Sequence, residues 1–192
     1  MKTKFKSALG LTKGKKGTTM NPLTQFKKIP LLPLIIALAL VVGAAPALAT
    51  PVCNVTTEIL AVGHYPSGLL DLVCKELPWD LKVKVKGDSD VYVSQHTFPV
   101  GAHTGWHTHP GPSLITVIAG ELTVYEAADP TCTPHVYHAG ESFTDIGCGD
   151  VHMVRNEGTE TAMDVVVQIV PAGAARRIDA DQPANCPVIT CP

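Results

Sequence analysis

From residue 81 onward, apolar and polar positions describe a run of short strands. Leu81–Lys86 alternates Val and Lys, the period-two pattern of a strand with one wet face, and Gly87-Asp88-Ser89 ends it. Asp90–Phe98 is rich in β-branched and aromatic residues. Leu114–Ala119 and Glu121–Tyr125 flank Gly120 and predict a hairpin. Val136–Phe143, Val151–Arg155 and Ala162–Val170 follow, spaced by about 10 residues, which predicts an all-β sandwich or barrel. Ser67–Leu77 offers the one amphipathic stretch with helical spacing, and it is short. Ala172–Pro192 is rich in Pro and Ala, carries two cysteines, and predicts a tail stapled over the domain.

The first 49 residues have a different character. Lys27 and Lys28 precede an apolar run, Ile29–Ala49, that closes on Ala47-Leu48-Ala49, the small residues a signal peptidase reads. Leu31–Ala49 is nearly long enough to span a bilayer, but Pro30, Pro33 and Pro46 interrupt the region. The expectation is a cleaved export signal, with initiation at Met1 or Met20 and no stable membrane association afterwards. Val52 before Cys53 disfavours a lipoprotein. The chain therefore divides into a leader (1–49), an N-terminal extension with the first strand (50–89), a barrel (90–172) and a tail (173–192), in a protein expected to be secreted or periplasmic.

Charge sharpens this division. Residues 1–49 hold eight of the 15 basic side chains and none of the 17 acidic ones, so everything from Thr50 onward is formally −10. Such a domain repels phosphate backbones, which excludes nucleic acid as the expected partner.

All six cysteines (Cys53, Cys74, Cys132, Cys148, Cys186 and Cys191) lie beyond residue 49, an even number suited to an oxidising compartment. Spacing alone leaves 15 pairings open. Proximity in sequence suggests Cys53 with Cys74, Cys132 with Cys148 and Cys186 with Cys191. Close Cys-x2-Cys pairs, the mark of structural zinc, do not occur.

The chemistry concentrates in the histidines. His107 and His109, at i and i+2, present two imidazoles on one face of a strand, while Trp106 and Thr108 point the other way. Imidazoles so converged suit zinc, copper, iron or nickel. His103, four residues earlier, is a reserve ligand, although Gly105 weakens the regularity of that strand. His135 and His138 are three apart, do not share a face, and read as solvent or loop residues. Cys148 could reach the same site as a thiolate, but Cys132 offers it a disulfide partner.

Two motifs in order resemble the cupin superfamily. Gly101, His107, His109 and Gly120 match the first at the right spacing, with Ser113 where the family has Glu. Gly140, Gly149, His152 and Asn156 match the second, but Gly147 replaces its Pro, after one extra residue. The resemblance covers about residues 90–172. It implies a single-domain, jelly-roll-like β-barrel with a metal on His107, His109 and His152. With Ser113 too weak a donor to count as a ligand, it is similar to those cupins that use three His and no carboxylate. A neutral three-His face leaves the charge of a dication uncompensated, which favours anionic or bidentate small molecules. It also favours iron(II) over zinc, manganese, nickel or copper. An oxygenase acting on a small molecule is the leading expectation. A non-enzymatic module binding a sugar or an organic acid is the alternative. A tyrosine or carboxylate beside the metal would favour the enzyme, and the sequence leaves the positions of Tyr92, Tyr125, Tyr137 and Glu121 open, along with homodimer formation.

Overall fold

In the computed structural model, residues 49–191 are described, and the leader expected over 1–49 lies outside them apart from Ala49. Strands account for every regular element of these residues: β1 (Thr56–Tyr65), β2 (Asp71–Glu76), β3 (Trp79–Lys84), β4 (Ser89–Phe98), β5 (His107–Thr108), β6 (Ser113–Ala119), β7 (Glu121–Glu126), β8 (His135–His138), β9 (Ser142–Asp145), β10 (His152–Arg155), β11 (Ala162–Pro171) and β12 (Ile178–Asp179). No helix among them is long and apolar enough to cross a membrane. The candidate amphipathic stretch Ser67–Leu77 is instead largely β2, one half of a two-stranded ribbon with β3.

Ten strands form two antiparallel five-stranded sheets, ordered β1-β4-β11-β6-β9 and β12-β5-β10-β7-β8. Their inner faces close on one interior. One end is apolar, built from Phe98, Ala102, Val117, Leu122, Val124, Val154 and Ala162. This is an all-β barrel, as the strand pattern predicts, and jelly-roll-like, as the family resemblance implies.

The chain passes from sheet to sheet at places where local pattern suggests pairing. The expected hairpin about Gly120 does not form: β6 pairs with β9 and β11, whereas β7 pairs with β8 and β10. Gly120 has a φ of 65°, and a Cβ there would press on the Cα of Ala162 at 2.9 Å, so the crossing needs glycine. Likewise the strand expected over Val136–Phe143 is two, β8 and β9, one in each sheet. Alternation shows that a strand has one inward face. It does not distinguish a strand that pairs with its predecessor from one that faces it across the barrel.

The outer face of the second sheet is also covered. Trp106, Tyr125, Met153, Cys132 and Cys186 form a second cluster, with Ile189 of the tail packed against it. This explains why Leu122 through Tyr125 are buried on both sides of β7. The tail is stapled as expected, but by different partners: Cys53 bonds Cys191 and Cys132 bonds Cys186, while Cys74 and Cys148 are free and exposed. The pairings Cys53–Cys74, Cys132–Cys148 and Cys186–Cys191 are thus corrected. Approach of the Cα atoms, not distance along the chain, decides a disulfide, and the tail folds back to bring its cysteines within 5.6 and 5.3 Å of Cys53 and Cys132. Cys74 meanwhile sits on the ribbon and Cys148 in the loop between β9 and β10.

Candidate metal centre

His107 and His152 are direct cross-strand partners, which places both rings on the inner face of the β12-β5-β10-β7-β8 sheet. His109 follows just beyond β5. The ring centroids stand 4.4 Å (His107–His152), 4.8 Å (His107–His109) and 5.3 Å (His109–His152) apart. One nitrogen from each ring lies within 4.8 Å of the other two.

Which nitrogens face the interior follows from the hydrogen bonds of the others. Nδ1–H of His107 donates to the Gly105 carbonyl at 2.9 Å, and Nδ1–H of His109 donates to the Arg176 carbonyl at 2.6 Å. With Nδ1 protonated in both rings, both Nε2 lone pairs are free, the tautomer a metal requires. Nδ1 of His152 is buried without a hydrogen bond. Burial also keeps the rings neutral. It pushes His107 down to about 2, helped by the neighbouring His152 charge. His109 is lowered by burial, against the opposing bond to Arg176. Burial lowers His152 as well, opposed by Asp145.

Three features hold this arrangement in place. The tail returns along β5 as β12, pairing Ile178 with Thr108 and Asp179 with His107, and so positions the Arg176 carbonyl. The loop Gly147-Cys148-Gly149, where the second motif lacks its Pro, runs through three successive positive φ values of 63°, 57° and 97°. It clamps the His pair: the Cys148 amide donates to the His109 carbonyl at 2.7 Å, and the Gly149 amide to Thr108 Oγ1 at 3.2 Å. A Cβ at Gly147 would collide with the Gly111 carbonyl. Finally, Asn156 is fully buried, donates to the carbonyls of Phe98 and Glu160 at 2.8 and 2.7 Å, and accepts from the Gly158 amide at 3.0 Å. Its role is to clasp the end of β10 to β4 in the opposite sheet.

The three imidazoles open into a cavity of about 200 Å³. Its facing wall, from the β1-β4-β11-β6-β9 sheet, sets polar groups among apolar ones such as Ile115, Phe143 and Val166: Ser113, Asp145, Asp164 and Gln168 are buried there, and His96 bonds Asp164 at 2.8 Å. Arg176 and Arg177 of the tail line it as well. Ser113 accepts from Gln168 Nε2 at 3.4 Å. His103 does not line the cavity; it is buried elsewhere, with Nδ1 accepting from the Gly105 amide at 3.2 Å. Cys148 points its thiol toward the Pro110 carbonyl, at 3.8 Å. His135 and His138 are exposed on β8. Tyr92, Tyr125, Tyr137 and Glu121 all lie outside the cavity.

Asp145 is the residue that sequence reasoning passes over. It ends β9 directly opposite Ser113 of β6, buried, with Oδ2 3.7 Å from His109 Nε2 and Oδ1 3.7 Å from His152 Nδ1. Its position in the extra-residue segment before Gly147 was the only signal, and that departure read as a mismatch.

An antiparallel two-sheet barrel with imidazoles converging on its inner face defines the class. Residues 94–181 match the family described as the cupin domain, the family that the two histidine motifs of this segment resemble. No curated protein matches the sequence. Among solved structures, the chain is similar to a cupin-like protein from Thermotoga maritima at 17% identity, covering 67% of this chain and 77% of that one, with a TM-score of 0.45. A double-stranded beta-helix protein from Klebsiella pneumoniae is 25% identical over 49% of this chain and 76% of its own, TM-score 0.38. An oxalate oxidase is 29% identical over 43% of this chain and 46% of its own, TM-score 0.36.

Proposed function

We propose that this cupin holds one divalent transition metal on His107, His109 and His152 and uses it to engage a small organic anion in the cavity. The observation that carries this reading is the hydrogen bonding of the rings: two Nδ1–H groups are taken up by carbonyls, so their Nε2 lone pairs are free where the three rings converge on the cavity. Bound there, such an ion supplies a Lewis-acidic point with free positions and, as iron(II), redox chemistry with dioxygen. Iron(II) is the first choice, with zinc, manganese, nickel or copper as alternatives. The protein's own part is to exclude bulk water, keep the imidazoles neutral by burial, and select charge. Arg177 has a buried Nη2 with no partner while its Nε donates to Asp179. An unpartnered guanidinium nitrogen beside the cavity suits a carboxylate better than a sugar.

A binding module without turnover is the second reading, favoured by one observation: among the described residues no tyrosine lines the cavity, whose carboxylates are Asp145 and Asp164 alone. Elemental analysis of natively expressed protein, paired with oxygen uptake by iron-loaded protein over a panel of small organic acids, separates the two. One metal per chain with substrate-dependent oxygen consumption is expected. Metal without turnover moves the reading to the binding module, and no metal discards the site.

The two disulfides fit an oxidising compartment. We place the mature protein outside the cytosol, secreted or periplasmic, beginning near Thr50. An intact mass that still includes residues 20–49 would refute this.

A further inference from the structure

We infer that Asp145 is a fourth, carboxylate ligand of the metal, so that the carboxylate absent at Ser113 is supplied by the residue directly across the sheet. This rests on the metal reading above and changes its character, from a neutral ligand set to one that cancels one of the two positive charges of the ion.

The register carries the argument. Ser113 and Asp145 are Cα partners in the antiparallel pair β6–β9, and directly opposed residues project from the same face. A side chain at either position therefore enters the same part of the cavity, and both line it. Asp145 is 6% exposed. Its Oδ1 accepts from the Gly147 amide at 2.7 Å, while Oδ2 is buried and has no hydrogen-bond partner. Among the described residues no Lys or Arg pairs with it; its neighbours are His109 Nε2 and His152 Nδ1, each at 3.7 Å.

That environment is unfavourable to a carboxylate unless a cation sits in it. His109 has its proton on Nδ1, so the nitrogen facing Oδ2 is a lone pair, and two acceptors confront each other with no hydrogen between them. An unpaired buried charge is costly, and buried charges in folded proteins are paired or coordinate metals. A separation of 3.7 Å is less than twice the roughly 2.1 Å of a metal–nitrogen or metal–oxygen bond, so one ion can bridge them. The loop with the extra residue completes the case. Through Gly147 it fixes Asp145, and through Cys148 and Gly149 it fixes His109 and Thr108, so one loop aligns the carboxylate with the His pair.

The experiment titrates metal-free protein with cobalt(II), following the visible spectrum and the affinity. Wild type should take up one equivalent. Asp145→Asn, which keeps the acceptor for Gly147, should bind at least about tenfold more weakly with an altered spectrum. Its metal-free form should melt no lower than wild type, since an unpaired charge has been removed; a merely structural aspartate would instead lower the melting temperature. The double variant Ser113→Glu/Asp145→Asn, which returns the carboxylate to the other strand, should regain affinity. Asp145→Asn binding cobalt with wild-type affinity and spectrum overturns the assignment, as does a double variant no better than the single. Wild type that takes up no cobalt removes the metal reading itself.

Discussion

The two walls of the cavity come from the two sheets, and they are built on different terms. The imidazole wall, on β5 and β10, consists of residues whose neighbours in sequence already announce them, and it is fastened from outside by the tail. The polar wall, on β4, β6, β9 and β11, is made of single polar residues set into ordinary strands. β11 shows this best: its inward positions include Asp164 and Gln168, while Val165, Val167 and Ile169 face partly outward. Val166 and Val170 share that inward face, so the strand sets two polar side chains among apolar ones where it borders the cavity. A wall made for ligation needs converging donors. A wall made for a ligand needs only a few polar atoms placed at the right depth.

The sharpest way to break the comparison is to remove the imidazole wall. His152→Ala or His107→Ala should lower bound metal from one per chain to near zero, whereas His135→Ala and His138→Ala, on the exposed face of β8, should leave it unchanged. Elemental analysis of the purified variants reads this directly.

Loosening the tail tests whether that wall depends on its outer covering. Cys132→Ser with Cys186→Ser opens a span of 54 residues, worth about 4 kcal/mol by loop entropy and roughly 10 °C in Tm. Calorimetry of the variant should show that loss together with weakened metal retention. Unchanged retention would mean that β12 and the remaining Cys53–Cys191 bridge hold the Arg176 carbonyl without the Cys132–Cys186 bond.

The clasp between the walls comes next. Asn156→Ala strands the Phe98 and Glu160 carbonyls and the Gly158 amide, at a cost of about 3 kcal/mol, measurable by chemical denaturation.

Acid should act on the imidazole wall. His107 is held at about 2 in the folded protein, below its ordinary 6.5, so between those values the unfolded chain carries the proton and the folded chain does not. Stability of the metal-free protein therefore falls as pH falls below 6.5, by at most about 2 kcal/mol at pH 5 from this group. Thermal melts of chelator-treated protein should show the decline, and His107→Gln should make it shallower, with the other two buried rings carrying the remainder.

The smallest effect belongs to the mouth. Arg177→Ala should weaken binding of a small carboxylate to metal-loaded protein by about tenfold, the loss of one charge-assisted hydrogen bond, with metal content unchanged. Isothermal titration checks it; equal affinities would remove Arg177 from recognition.

Much of the imidazole wall was legible in the chain. The i, i+2 spacing of His107 and His109 fixes a shared face once the segment is extended, since side chains alternate along a strand whatever surrounds it. Gly149 reads as a position of unusual backbone angles and Gly120 as a change of direction, though not the hairpin expected there, because positive φ is a local property, and the structure finds φ of 97° and 65°. Period-two patterning identified β3, and β-branched or apolar segments at regular spacing identified the strand character of β4, β6, β7, β10 and β11. All of these depend on bonds and clashes within a few residues.

What only the tertiary structure decided involves residues far apart in the chain. The cysteine partners are separated by 54 and 138 residues, and short sequence distance misled because the tail returns across the barrel. Whether β6 and β7 pair or face each other depends on how two sheets stack, which no single strand encodes. The same holds for Asp145. Its placement opposite Ser113 is a matter of register between β6 and β9, and its charge acquires meaning only where His109 and His152 arrive from the other sheet. Alternation along one strand is set by covalent geometry, so sequence suffices for it. The meeting of donors from opposite walls is set by the packing of all the strands together, and only the folded chain determines it.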